Sequence, residues 1–146
     1  MRLTKQSNYA VRTLMYCAVN ELALSRIADI ARVYHISEPF LFKLIKPLVD
    51  NGVLETVRGR HGGLRLGRPA DQITLLQVIQ VTEDSFALAE CFASAGTRCP
   101  LVGACGYNMA LNEALNAFLT TLDRYTIADL VSKRTVIVSR LKLPVL

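Results

Sequence analysis

Residues 25–66 read SRIADIARVYHISEPFLFKLIKPLVDNGVLETVRGRHGGLRL, and this stretch decides the fold. Ile27, Ile30 and Ala31 recur at helical spacing and predict a helix over residues 25–34, with Ser25 as its N-cap. His35 and Ile36 then turn the chain. Ser37 predicts the cap of a following helix, with Glu38 in its first turn, where a carboxylate complements the helix dipole, and Pro39 just inside the start. That helix runs through PFLFKLIKPLVDN and stops at Gly52. Pro47 removes one backbone donor inside it and is expected to kink the last turns. Two strand-like runs follow, VLETVR and LRL, joined by the glycine-rich turn Gly59-Arg60-His61-Gly62-Gly63.

Working outward, KQSNYAVRTLMYCAVN (residues 5–20) places Tyr9, Val11, Leu14, Met15 and Ala18 at helical spacing and supplies a first helix. Three helices and a hairpin make the order of a winged helix-turn-helix. Downstream, ITLLQVIQVT (73–82) predicts another helix, capped by Thr74. Residues 83–106 read as a loop bearing glycine and cysteine. Met109, Leu111, Leu115, Phe118, Leu119 and Leu122 then form a long amphipathic helix from Tyr107 to Arg124, and Thr126 caps a shorter one, IADLVSKR. The expected fold is mainly α with a small β-hairpin wing. It divides into a winged helix-turn-helix over residues 1–70, a cysteine loop with dimerisation helices over 71–134, and a C-terminal tail over 135–146.

Composition narrows the function. Hydrophobic residues make up 51% of this 146-residue chain, a high share that points to an apolar interface with a second copy. No apolar run approaches the ~18 residues of a membrane span, and MRLTKQSNYAVR lacks the apolar core of a signal peptide. A soluble, cytoplasmic protein is expected. In that compartment clustered cysteines bind metal or do redox chemistry more often than they form structural disulfides. The net charge of +5 is uneven: residues 1–70 hold 11 Lys/Arg and 5 Asp/Glu, and residues 71–146 hold 6 and 7. The excess positive charge therefore lies in the winged-helix half, as phosphate binding requires.

The third helix of such a unit enters the major groove. Glu38, Pro39, Phe42, Lys43 and Lys46 form its exposed set, against a buried set of Phe40, Leu41, Leu44 and Ile45. Lys43 and Lys46 suit phosphates or guanine edges. Glu38 suits a cytosine amine, or serves the helix dipole alone. At the wing, Arg58, Gly59, Arg60 and His61 put charge on a slender hairpin tip, a shape and polarity suited to the narrow minor groove. Arg2, Lys5 and Arg12 are expected to contact the DNA backbone.

Cys91, Cys99 and Cys105 stand together in AECFASAGTRCPLVGACGYN. A zinc site usually includes a C-x₂₋₄-C pair, which the spacing x7 and x5 does not provide. Soft thiolates on a loop suit an iron–sulfur cluster as well as zinc. A disulfide pair with an odd thiol, apolar filler, and a metal-free redox sensor remain as alternatives. Cys17, on the apolar face of the first helix, reads as filler. Nothing resembles an enzyme: no glycine loop leads from strand to helix to cradle phosphates, and neither histidine has an evident nucleophile partner.

The opening MRLTKQSNYAVRTLMY, the wing VRGRHGGLRLGRPADQITLLQVI and the cysteine trio resemble the Rrf-two family of bacterial iron–sulfur winged-helix regulators over nearly the whole chain. SEPFLFKLIKPL, VTEDSFALAECF and CPLVGACG are most similar to its rhizobial iron-regulator branch, and FLTTLDRYTIADLV to its nitric-oxide-sensing branch. The resemblance implies a homodimer on a palindromic double-stranded DNA operator, with the long helix as dimer core. It places Cys91, Cys99 and Cys105 as cluster thiolates, Arg58 in the minor groove, and residues 38–43 over the bases. Asn108 stands where one branch has a histidine ligand, and Asn8 where some members offer a partner's aspartate, so Asn8 is at best a weak fourth ligand. This pattern implies a [4Fe–4S] cluster, with [2Fe–2S] the alternative. The function so implied is a repressor of iron-responsive genes that loses DNA affinity with its cluster. A nitric-oxide sensor is the second reading and a metal-free thiol regulator the third.

DNA binding by this charge distribution is expected to be steeply salt-dependent. If ~8 phosphates are neutralised per dimer, log K falls against log salt with a slope of about −7. Arg58→Ala should weaken operator binding measured by fluorescence anisotropy, and unchanged affinity would remove the wing from the interface.

Overall fold

The computed structural model describes residues 2–60, 62–92, 99–101 and 103–143. Helix α1 spans Lys5–Val19, α2 Ile27–Tyr34 and α3 Glu38–Asp50. Strands β1 (Leu54–Val57) and β2 (Gly63–Leu66) form an antiparallel hairpin pairing Leu54 with Leu66 and Val57 with Gly63. Helix α4 (Leu75–Thr82) follows, then the cysteine loop, α5 (Gly106–Asp123), α6 (Ile127–Leu130) and α7 (Arg134–Leu141). This is the expected winged helix with a long additional helix.

Local signals explain most boundaries. The Thr4 side chain accepts from Ser7 N–H and starts α1, and Ser37 accepts from Phe40 N–H and starts α3. Thr74 and Gln77 form a reciprocal capping box at α4, and Thr126 and Asp129 form another at α6. Each box satisfies amide groups that would otherwise lack partners at a helix start. Helix α3 continues through Pro47 and ends at Asp50, with Asn51 as C-cap and Gly52 just beyond it at a left-handed φ of +67°.

Ser25 corrects one expectation. It makes no cap for α2, whose N-cap is Arg26 without a side-chain bond. Ser25 is instead buried and pairs antiparallel with Leu64: its N–H donates to Leu64 C=O at 2.9 Å, and Leu64 N–H donates back at 2.8 Å. The segment before α2 thus adds a third, one-residue rung to the wing. Gly63 is required beside it, since a Cβ there would lie 2.8 Å from the Ser25 carbonyl oxygen.

Two further boundaries differ from expectation. The helix after Thr126 ends at Leu130 rather than running through IADLVSKR, and residues 135–141, read as tail, are helical in α7. Arg134 pairs with Glu21 at 2.8 Å, and Leu141 and Leu143 pack against the core, which ties this helix back to the winged unit.

Leu14 of α1, Ile30 of α2, Leu41, Leu44 and Leu48 of α3, Leu54 and Leu64 of the wing, and Ile73, Val78 and Ile127 beyond it form one core. Phe40, expected among the buried residues, is half-buried and sets its ring edge-on to Tyr9 at 5.7 Å between centroids. Among the described residues, no helix is long and apolar enough to cross a membrane. Leu41 is fully buried on the inner face of α3. Leu41→Ala should cost about 2–5 kcal/mol, read as a lower midpoint in urea unfolding, whereas Phe42→Ala on the exposed face should leave that midpoint nearly unchanged.

Candidate functional site

The described basic residues expected to meet DNA are exposed on or just before α1, on α3 and at the wing. Glu38, Pro39, Phe42, Lys43 and Lys46 are exposed on α3, while Leu41, Leu44, Ile45 and Leu48 hold the opposite side in the core. Phe42 is 57% exposed, an apolar ring presented on the outward face of α3. Lys46 Nζ pairs with Asp50 at 2.6 Å, one turn on, so its ammonium is already partnered. Arg58, Gly59 and Arg60 are exposed at the wing, where Gly59 takes φ +115°, a conformation closed to ordinary side chains. His61, expected beside them, lies outside the described residues. Below the tip, Arg65 donates from Nε and Nη2 to the two Glu55 oxygens, each at 2.9 Å, across the hairpin. This bond holds the Glu55 carboxyl below its ordinary range and keeps Arg65 protonated.

The start of α1 is held from a distance. Thr4 N–H donates to Glu83 Oε1 at 2.7 Å, Thr4 Oγ1 donates at 3.0 Å, and Ser7 Oγ also donates to this oxygen. Burial would raise the Glu83 pKa, but these hydrogen bonds outweigh it and hold the carboxyl below its ordinary range. Arg2 and Lys5, exposed on either side of Thr4, are thereby anchored to the end of α4. Arg12 stacks its guanidinium over the Tyr9 ring at 5.2 Å, and its backbone C=O accepts from Tyr34 O–H at 3.0 Å. Asn8 is exposed and donates to the Thr4 carbonyl at 2.9 Å; it does not line the cysteine cavity of its own chain.

The three loop cysteines converge. Cys91 lies on a single 3-10 turn (Glu90–Phe92), and Cys105 is the N-cap of α5. With Cys99, Leu101, Tyr107 and Asn108 they line one cavity of about 270 Å³. Cys99 is exposed, and Cys91 and Cys105 are half-buried. The positive end of the α5 dipole faces this cavity. Asn108 Nδ2 lies 3.1 Å from Cys91 Sγ. Among the described residues, no three His, Cys, Asp or Glu side chains meet closely enough to hold a single metal ion. All three thiols line the same cavity, and soft thiolate donors of this kind would suit iron–sulfur chemistry.

Cys17 stands apart. It is buried in α1, and burial pushes its thiol up to about 12, against a smaller lowering from Ser25.

A family model described as "Rrf2: Iron-dependent Transcriptional regulator" matches residues 3–133. The chain belongs to the Rrf2 family of DNA-binding transcriptional regulators. It is therefore a regulator, not an enzyme. It is 63% identical over 134 residues to protein aau3 of Rhizobium meliloti, covering 92% of this chain and 87% of that protein. It is 43% identical to the HTH-type transcriptional regulator NsrR of Geobacillus kaustophilus, covering 97% of each. Among solved structures, CymR, the global cysteine regulator of B. subtilis, superposes with a TM-score of 0.75 at 23% identity over 91% of this chain and 98% of that one. At that identity the likeness is one of fold.

Sequence reading placed the basic residues and the cysteine trio but missed the Glu83 anchor and the Asn108–Cys91 contact. Both join residues distant in the chain, and periodicity carries no trace of them. The difference between buried and cavity thiols is testable in the metal-free, reduced protein. Iodoacetamide at about pH 8 should modify Cys91, Cys99 and Cys105 in the folded state and Cys17 only after unfolding, as peptide mass mapping will show.

Proposed function

We propose that this Rrf2-family regulator is a homodimeric repressor of iron-responsive genes whose grip on a palindromic operator depends on an iron–sulfur cluster held by Cys91, Cys99 and Cys105. This reading likens it to the rhizobial iron regulator RirA, on the strength of SEPFLFKLIKPL, VTEDSFALAECF and CPLVGACG. The reading rests on the single cavity lined by all three cysteines at the start of α5. A [4Fe–4S] group supplies thiolate-ligated iron there, and its loss under iron limitation is the signal. Asn8 of a second copy is the weak candidate for a fourth contact.

The residues of the chain supply the rest. Helix α5 has no buried side chain over its 18 residues, and Met109 is 71% exposed, so a second copy is its natural cover. On the operator, Glu38, Pro39 and Lys43 read bases in the major groove. Arg58, Gly59 and Arg60, with His61, enter the minor groove, and Arg2, Lys5, Arg12 and Lys46 contact phosphates. Cys105 begins α5 directly, so the state of the loop sets the start of the dimer helix. The coupling required is modest, since a tenfold affinity change corresponds to about 1.4 kcal/mol.

A nitric-oxide sensor is the second reading, favoured by 43% identity to NsrR along almost the entire chain. It predicts that nitric oxide releases the operator while moderate iron limitation has little effect. Anaerobic purification followed by native mass spectrometry, absorbance and operator titration tests both. The parent should be a coloured dimer that binds its operator, and Cys99→Ala should lose the visible absorbance and the cluster-dependent binding. A variant that binds like the loaded parent would defeat the switch.

A further inference from the structure

Asn108 lies in the first turn of α5, three residues after Cys105, and its side-chain Nδ2 stands 3.1 Å from Cys91 Sγ. Asn112, one turn further on, determines which end of that amide faces the sulfur. Its Nδ2 donates to Asn108 Oδ1 at 2.9 Å and to the Asn108 backbone C=O at 2.8 Å. With the carboxamide oxygen engaged by a donor, the nitrogen is the end turned to sulfur. A flipped Asn108 would set its NH₂ against that of Asn112, losing the bond at Oδ1 and the donor toward Cys91 Sγ, while the Asn108 backbone C=O still fixes the Asn112 amide. The chain therefore holds an oriented N–H donor against one of three thiols that share a cavity.

We propose that Asn108 is a positioning residue for Cys91, not a ligand. It donates an N–H···S hydrogen bond to the thiolate and so sets the reduction potential of the bound cluster and the ease with which it is lost. The proposal rests on the cluster reading above. The amide lone pair is delocalised into the carbonyl and makes a poor iron ligand, so the histidine-for-asparagine difference exchanges a fourth ligand for a donor. A hydrogen bond draws charge from the thiolate, which then donates less to iron. The reduced cluster, richer in negative charge, is favoured by that withdrawal, and potentials of such clusters respond to hydrogen bonds at their sulfurs. Asn112 acts one step behind by orienting the amide.

Two arms test this. In the metal-free, reduced protein, the side-chain amide resonances of Asn108 in a ¹⁵N–¹H spectrum should move in Cys91→Ala and stay in place in Cys99→Ala. Resonances indifferent to Cys91 overturn the hydrogen bond. In the cluster-loaded protein, Asn108→Ala should lower the midpoint potential and slow cluster loss to a ferrous chelator several-fold. Asn108→Asp, nearly isosteric but charged and without the donor, should lower the potential further. Asn112→Ala, which frees the amide without deleting it, should shift the potential in the same direction by less, and serves if Asn108→Ala does not load. An unchanged potential in an intact, loaded variant overturns the tuning role. A parent protein that is colourless and iron-free after anaerobic purification overturns the cluster reading and the tuning together, while the first arm still reports the amide–thiol bond.

Discussion

Ile73 and Ile127 are both fully buried, and between them runs a short antiparallel pairing on which the arrangement of the long helix depends. Leu75 N–H donates to Tyr125 C=O at 2.8 Å, and Ile127 N–H donates to Ile73 C=O at 2.9 Å. The two threonines at its centre, Thr74 and Thr126, each also cap a helix. Thr74 Oγ1 further donates to Asp123 Oδ1 at 3.0 Å, at the last residue of α5. The start of α4, the end of α5 and the start of α6 are thereby fixed at one point and seated in the core by two isoleucines. Helix α4 packs against both α1 and α5, so it joins the long helix to the element that begins at Lys5.

The far end of α5 is the cysteine cavity, and this explains why a helix of such length is exposed. A helix of this size is only marginal by itself in water. Leu111, Leu115, Phe118 and Leu122 are half-buried and supply part of what is needed. Met109 and Tyr107, 71% and 68% exposed, extend past that contact near the cysteines. In the proposed dimer the second copy covers this surface, and the cavity wall and the dimer surface then share residues, since Tyr107, Asn108 and Met109 line the cavity. On that proposal a change in the cysteine loop would be felt where the two copies meet.

The winged helix was legible because its signals are local. Ser37 and Thr74 cap as read, the α3 pattern divides into inner and outer faces as read except at the half-buried Phe40, and the glycine turn makes a hairpin as read. Ser25 was misread because a serine before a helical pattern has the same local appearance whether it caps that helix or pairs with a strand. The deciding partner, Leu64, lies far along the chain. Helix α7 escaped because RTVIVSRL carries little helical segregation of apolar from polar residues, and its β-branched run argues for extended structure. What ties it down is the Arg134–Glu21 pair and the packing of Leu141, both tertiary. The cysteine trio was legible as a cluster in the chain, yet its shared cavity and its amide neighbour were not, because a helix start and a distant turn had to be brought together.

The four cysteines show how little the residue type alone determines. Cys17 is held on the inner face of α1, where burial keeps the thiol protonated and removes it from any chemistry near neutral pH. The other three lie on a loop and a helix start, half-buried or exposed, around a space large enough for a guest. Exposure suits the proposed role of a site that gains and loses iron, because a closed structural site would retain it. The proposed hydrogen bond from Asn108 acts in the same sense, weakening the hold of one thiolate without removing it. On this reading the absent histidine at residue 108 is not a defect in the ligand set. It leaves the number of strong protein ligands at three and turns the fourth position into a means of setting how firmly the other ligands hold.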